Sequence, residues 1–432
     1  MQAEWEVLLE EAHQLRRDLD EQRQQLNQAL FQQAAAQRLI ARLADERDEA
    51  RADLLEHRVG ISEAIEAAVL PDEEPTAAPP TGLGFTDARL ARMQETYDKL
   101  SAMRRKRRTP PDLKTADEIN GYRDQISVTQ LLHRTYVAGI TCLTVHPERR
   151  NIFLTGGMDK MCVVFDSATG NNLGLCQGHT KRVKSVSWHP SATKLLAVSG
   201  SMDRTCRVWT PKKEDKKKYE MVTKYKNHGS EVVTVAVHPC GDFFASASYD
   251  GAWALYDIEA EECFKVQTNA AGGPLSCLAF HPDGFVMGTG MRNNGNVHLW
   301  DLKQRGLPVA ELPCHRGAAT ALAFNENGYL LATGGADGIV NMWDLRTQKN
   351  LDFMNVGSHL NALAFDQSGT YLAALGKSDA RVFRAKERTL VGEYPRAAKA
   401  MTGIAWGPDA RWLVVSSMDR SVRVFGEHPT GQ

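Results

Sequence analysis

A hydroxyl residue, a histidine and an aspartate recur together three times in this chain, the residue types from which a nucleophilic triad is built. The sets are His179, Ser199 and Asp203; His228, Ser246 and Asp250; and His315, Thr333 and Asp337. In each, the hydroxyl precedes the aspartate by four residues, and an aromatic (Trp209, Tyr256 or Trp343) follows it by six. Such a set could activate a hydroxyl for acyl transfer. An active site occurs once per molecule, however, whereas this set returns at a regular interval. The expectation is therefore structural: these groups satisfy one another where strands meet, each bond contributing about 0.5–1.5 kcal/mol net. No catalytic, cofactor or metal-ligating residue is assigned. Gly376-Lys377-Ser378 has the look of the end of a phosphate-binding loop, but Tyr371 stands where that loop needs glycine. The cysteines, Cys142, Cys162, Cys176, Cys206, Cys240, Cys263, Cys277 and Cys314, are scattered and form no CxxC pair. Zinc sites and disulfide frameworks need clustered spacing, so reduced core thiols are expected.

The elements that must hold these sets follow from their period. Polar landmarks at Asp159, Asp203, Asp250, Asn294, Asp337, Asp379 and Asp419 lie 40 to 47 residues apart, each leading into a strand that ends near an aromatic. A second landmark keeps the same beat: alternating apolar strands end at His146-Pro147, His189-Pro190, His238-Pro239, His281-Pro282, Asn325, Asp366 and Gly407-Pro408. Two registers with one period predict an all-β, seven-bladed WD-repeat propeller over residues 126–426. After Asp419 only the strand from Ser421 to Phe425 remains, so the last blade needs an outer strand from elsewhere. The β-prone stretch Ile126 to Leu132, within about 126–136, is expected to supply it and remove exposed strand edges. On one face the residues preceding the landmarks (Met158, Met202, Tyr249, Asn293, Ala336, Ser378 and Met418) are expected to ring the axis. Methionine and tyrosine make adaptable contact surfaces. Met158, Met202, Tyr249 and Met418, with Arg182 and Glu231 adding charge, are the expected partner-binding residues.

Ahead of the repeats, residues 1–57 contain neither Pro nor Gly and carry a heptad. Trp5, Leu8, Leu15, Leu19, Leu26, Ile40 and Leu43 form the seam, widened by Leu30, which predicts an oligomerising coiled coil. Residues 58–125 read as a flexible linker, rich in Pro at 71–82, with a short helix near 86–108. That helix ends in the basic run Arg104-Arg105-Lys106-Arg107-Arg108, which reads equally as a nuclear-import signal or phosphate contact and as a solvated charge run. Residues 427–432 form a polar tail. The net charge of −1 gives no global argument for nucleic-acid binding. No apolar run approaches the ~20 residues of a spanning helix, and no membrane partner is expected.

Particular words sharpen this outline. Asn27-Gln28-Ala29-Leu30-Phe31-Gln32 and Arg38-Leu39-Ile40-Ala41-Arg42-Leu43 occur in the helix. Gly178-His179-Thr180-Lys181, Phe280-His281-Pro282-Asp283-Gly284, Phe365-Asp366-Gln367-Ser368-Gly369-Thr370-Tyr371 and Met418-Asp419-Arg420-Ser421 occur in the repeats. In order and spacing the chain resembles the pre-mRNA-processing factor nineteen family over nearly its whole length. The resemblance implies a nuclear protein that assembles as a homotetramer through its coiled coil. It also implies that the propellers recruit subunits of the spliceosome-associated nineteen complex and help splicing and spliceosome activation, any RNA contact being indirect. Roles in ubiquitin conjugation and DNA repair come with the same resemblance. Family members are ubiquitin ligases through a U-box ahead of the coiled coil, and no U-box is found in this sequence. A non-catalytic scaffold without a cofactor is therefore expected; the alternatives are a ligase whose U-box lies outside the sequence, or another coiled-coil propeller adaptor.

Overall fold

A computed structural model describes residues 86–106, 113–122, 124–128, 133, 139–149, 151–191, 194–212, 218–268, 273–304, 307–394 and 399–427. The heptad positions Trp5 to Leu43 and the Pro-rich stretch lie outside the described residues. The described residues belong to one compact unit.

Seven four-stranded antiparallel sheets are arranged as blades. Their innermost strands are Ile140–Val145, Val183–Trp188, Val232–Val237, Leu275–Phe280, Ala319–Phe324, Ala362–Phe365 and Met401–Trp406. Each touches the innermost strand of the next blade, and the seventh touches the first, so the blades form a closed ring. Burial explains the composition of each position. Second strands such as Ile152–Gly157 and Phe243–Ser248 are buried along their whole length, because both faces of a blade pack on neighbours. Outer strands are less buried, and Lys349–Asn355 is almost entirely exposed and carries charge and amide side chains.

Six of the seven innermost strands carry a register shift at their second residue. The bulge re-aims that residue toward the axis. Thr141, Lys184, Val233, Ser276, Thr320 and Thr402 hold these positions, and five neighbouring or identical side chains stitch blade to blade. Thr141 Oγ1 donates to Val183 O at 2.6 Å, Ser185 Oγ to Val235 O at 3.4 Å, and Ser276 Oγ to Ala319 O. In the unbulged sixth blade Asn361 Nδ2 reaches Met401 O at 2.6 Å. Thr402 Oγ1 closes the ring by donating to Ile140 O at 2.9 Å.

The seventh blade takes its outer strand from the start of the propeller. Asp124–Val128 pairs antiparallel with Val422–Gly426, Ile126 opposite Val424 and Val128 opposite Val422. This strand begins two residues before the alternating stretch seen in the sequence. At the same seam Gly139 adopts φ +56°, and a Cβ there would sit 2.4 Å from Met418 Cα, so only glycine fits.

Among the described residues, two helices precede the closing strand. Helix α1, Asp87–Lys106, lies against blades three and four, with Met93 fully buried among Phe243, Phe264, Met287 and Trp300. Helix α2, Ala116–Asn120, starts at a capping box in which Thr115 N donates to Glu118 Oε2 at 2.8 Å. Its Ile119 is buried beside Tyr371, Tyr394 and Phe425. Tyr394 Oη donates to Ile119 O at 2.8 Å and Tyr371 Oη to Lys114 O at 2.9 Å. A stretch that composition reads as linker thus includes two segments anchored on the propeller.

Candidate partner-binding face

Strands alternate in direction, so the turns between second and third strands share a face with the links that enter each innermost strand. The histidines and aspartates of the repeated sets meet on that face. His179 Nδ1 lies 2.8 Å from Asp203 Oδ2, its Nε2 2.7 Å from Ser199 Oγ, and Trp209 Nε1 donates to Ser199 Oγ at 2.8 Å. The roles follow in sequence: indole to hydroxyl, hydroxyl to Nε2, Nδ1–H to carboxylate. Asp203 also accepts from Thr180 N and Thr205 N, both at 3.1 Å. Burial pushes the imidazole of His179 below its ordinary range despite Asp203. Burial opposes ionisation of Asp203 too, but the hydrogen bonds from His179 and Thr205 outweigh it and hold the carboxyl well below the usual range. Ser199 is 1% exposed, which leaves no approach for a substrate.

The other sets repeat this with different endings. His228 sits 3.0 Å from Asp250 and 2.6 Å from Ser246, which lies 3.2 Å from Tyr256 Oη. His315 sits 3.2 Å from Asp337 and 3.0 Å from Thr333. There the chain stops: Trp343 Nε1 is buried without a hydrogen-bond partner among the described residues. A fourth set escaped the sequence reading. His133 lies 2.9 Å from Asp159 and 3.1 Å from Thr155, with Phe165 in the aromatic place. Thr155 and Phe165 keep the four-and-six spacing, which is the signal that could have found it.

The expected partner residues are all half-buried on this face. Met158, Met202, Tyr249 and Met418 share one main-chain device: each N–H donates to the carbonyl of a residue just ahead of an innermost strand. The acceptors are Gly139, Arg182, Glu231 and Ala400, at 2.9–3.1 Å. The device fixes these side chains around the axis. In blade four it is made by Arg292, not Asn293, through Pro274 O at 3.0 Å, and this corrects the position read from the sequence. The turn there carries an extra residue after Met291. Arg292 then lays its guanidinium 4.8 Å from the ring centre of Tyr249, while Arg182 Nε donates to Met202 Sδ. A cavity of about 400 Å³ opens on the axis, lined by Arg182, Lys184 and Met418 among the channel hydroxyls. Burial, with Arg182 and Arg292 nearby, pushes the Lys184 ammonium below its ordinary range. The sequence reading missed Lys184 and Arg292, because only the bulge and the longer turn bring them to the mouth.

Among the described residues no group of histidine, cysteine and carboxylate side chains could hold a metal ion. No described helix is long and apolar enough to cross a membrane. Burial pushes the Cys206 and Cys277 thiols up to about 12, far from a nucleophilic thiolate.

Comparison with known proteins covers the same ground. A family model described as IFT122 first beta-propeller matches residues 140–426. One described as Prp19/Pso4-like matches residues 1–56. Pre-mRNA-processing factor 19 of Oryza sativa subsp. japonica is 36% identical, over 99% of this chain and 83% of its own. The Mus musculus protein of that name is 36% identical over 98% and 84%, and homolog 2 of Arabidopsis thaliana 34% identical over 98% and 82%. Similarity of this degree joins the N-terminal segment and the propeller in one alignment, and the chain belongs to the pre-mRNA-processing factor 19 family.

Proposed function

We propose that this protein is a non-catalytic scaffold in pre-mRNA processing, acting in the nucleus as a subunit of the spliceosome-associated nineteen complex. In this reading the propeller recruits splicing proteins through its Asp-turn face. The N-terminal heptad gathers four chains, so that weak propeller contacts add through high effective concentration. The observation that carries the reading is the similarity to pre-mRNA-processing factor 19 proteins from end to end of the chain. The geometry supports the non-catalytic part, since the only hydroxyl-histidine-aspartate sets among the described residues are buried and repeated. Met158, Arg182, Met202, Tyr249, Glu231 and Met418 are the proposed contacts, with Arg292 beside them.

Introducing charge on that face tests the assignment. Met202→Glu with Tyr249→Glu is expected to leave the thermal midpoint within a few degrees of the parent while reducing capture of splicing proteins at least tenfold. If every interaction survives in the folded double variant, the partner face is elsewhere.

A further inference from the structure

The propeller face opposite the Asp turns carries an acidic, aromatic seat over blades three and four, and α1 lies in it. Phe243, Phe264 and Phe285 form the floor. The Arg89 guanidinium sits 4.7 Å from the Phe264 ring centre, that of Arg92 5.0 Å from Phe243, and Tyr97 packs 5.2 Å from Phe285. Carboxylates form the walls. Asp257, 1% exposed, accepts from Arg89 Nε at 3.1 Å and Arg92 Nη2 at 2.9 Å. Glu262 accepts from Arg89 and Asp283 from Arg104, while Asp242 and Glu259 stand 3.8 and 3.6 Å from Arg92. Arg104, at the head of the basic run, is therefore already engaged.

We infer that this seat is a receptor for a short basic helix, with α1 as its occupant in cis, and that α1 leaves and returns while the propeller stays folded. Three observations carry the inference. Blades three and four complete their four strands without α1, so its departure breaks no sheet. Among the described side chains of the helix, Met93 is the one fully buried apolar group. The rest of the hold comes from the ion pairs and rings above, the half-buried Leu90 and Leu100, and a hydrogen bond from Lys303 Nζ to Gln94 Oε1 at 3.3 Å, and ion pairs weaken with salt. Among the described side chains the fit is also incomplete. Five carboxylates (Asp242, Asp257, Glu259, Glu262 and Asp283) face three arginines of α1, with Lys194 3.8 Å from Glu259 at the rim. Arg89 Nη1 is buried with no hydrogen-bond partner among the described residues.

The partner that fits has the chemistry of α1 itself: arginines three apart, an apolar residue next to the second, and an aromatic one turn further on. Residues at that spacing share one helix face. Tethering supplies α1 at an effective concentration in the millimolar range, so a helix binding at ~10 µM in trans is excluded about 100-fold. The inference does not depend on what the Asp-turn face binds.

A labelled peptide with the sequence of residues 86–108 tests it on the full chain. At low salt, Arg89→Glu with Met93→Glu is expected to bind the peptide at least 30-fold more tightly than the parent, and to lose it at about 0.5 M salt. A folded double variant that binds no better than the parent overturns the inference, and so does tight binding by the parent. Should the double variant fail to fold, hydrogen exchange on the parent decides. Amides of Asp87–Lys106 are then expected to exchange at least 100-fold faster than the inner strands of blades three and four, and faster still in salt. Equal, salt-independent protection would refute it.

Discussion

The tryptophans at the two complete His-Ser/Thr-Asp-Trp sets look alike in the sequence and differ in the structure. Trp209 Nε1 has Ser199 as its acceptor, whereas Trp343 Nε1 has none among the described residues. Trp→Phe removes similar volume at both sites but a hydrogen bond at only one. Trp209→Phe is therefore expected to lower stability by about 1 kcal/mol more than Trp343→Phe in urea melts. Equal losses would mean that the chain of bonds through Ser199 contributes nothing net. The strand-end histidines make a second case. His238 Nδ1 accepts from Cys240 N at 3.1 Å, so its Nε2 carries the hydrogen donated to Gly284 O at 2.8 Å in the next blade. Burial pushes His238 down to about 4, and pushes His146, His179, His189, His281 and His315 down as well. The sign is fixed by linkage. Below pH 6.5 the unfolded chain binds protons at these rings that the folded one refuses, so stability falls with pH until each folded value is passed. For His238 that window runs from about 6.5 to 4 and amounts to roughly 3 kcal/mol. Asn325 occupies the same place in blade five, accepting from Asn327 N and donating to Gly369 O at 2.9 Å. His238→Asn should therefore hold its stability at pH 7.5 within about 1 kcal/mol and flatten the acid limb. An unchanged acid limb would assign that limb to other groups.

Strands and turns were legible in the sequence because each blade needs the same two punctuation marks. An aspartate caps one turn, and a residue such as His238 or Asn325, usually followed by proline, ends the innermost strand. What stayed hidden was whatever depends on register. A bulge turns Thr141, Lys184 and Thr402 toward the axis, yet their alternation reads like that of any half-buried strand. His133 was missed because it stands 26 residues before its aspartate rather than 22 to 24, just after the closing strand. Helix α1 was expected near 86–108, but its seat was not, since arginines make many of its contacts and Met93 is the one fully buried apolar group among its described side chains. The stitching of blades is testable directly. Thr402→Val keeps the shape and removes the donor to Ile140 O, the link between the last blade and the first. A loss of about 1 kcal/mol is expected, with faster amide exchange concentrated in blades seven and one. Exchange that rises evenly around the ring would show that closure does not depend on this hydroxyl.

For the molecule as a whole, ring closure is built into the propeller, and oligomerisation is the proposal for the heptad ahead of it. The closing strand Asp124–Val128 ties the start of the propeller to Val422–Gly426 and gives the seam blade the same four strands as the other six. The heptad of residues 1–57 is proposed to multiply this unit. Light scattering should then give four times the chain mass for the parent, and a smaller species for Leu19→Asp with Leu26→Asp. A parent that runs as a monomer would remove avidity from the account. The scaffold reading itself stands or falls on company. The tagged chain should be purified from nuclear extract, beside the Met202→Glu, Tyr249→Glu variant, and the eluates assayed for splicing proteins and small nuclear RNAs. Both should be retained by the parent and lost from the folded variant. A folded, oligomeric parent that retrieves neither would contradict the account: the chain would share the family's fold without its work in pre-mRNA processing.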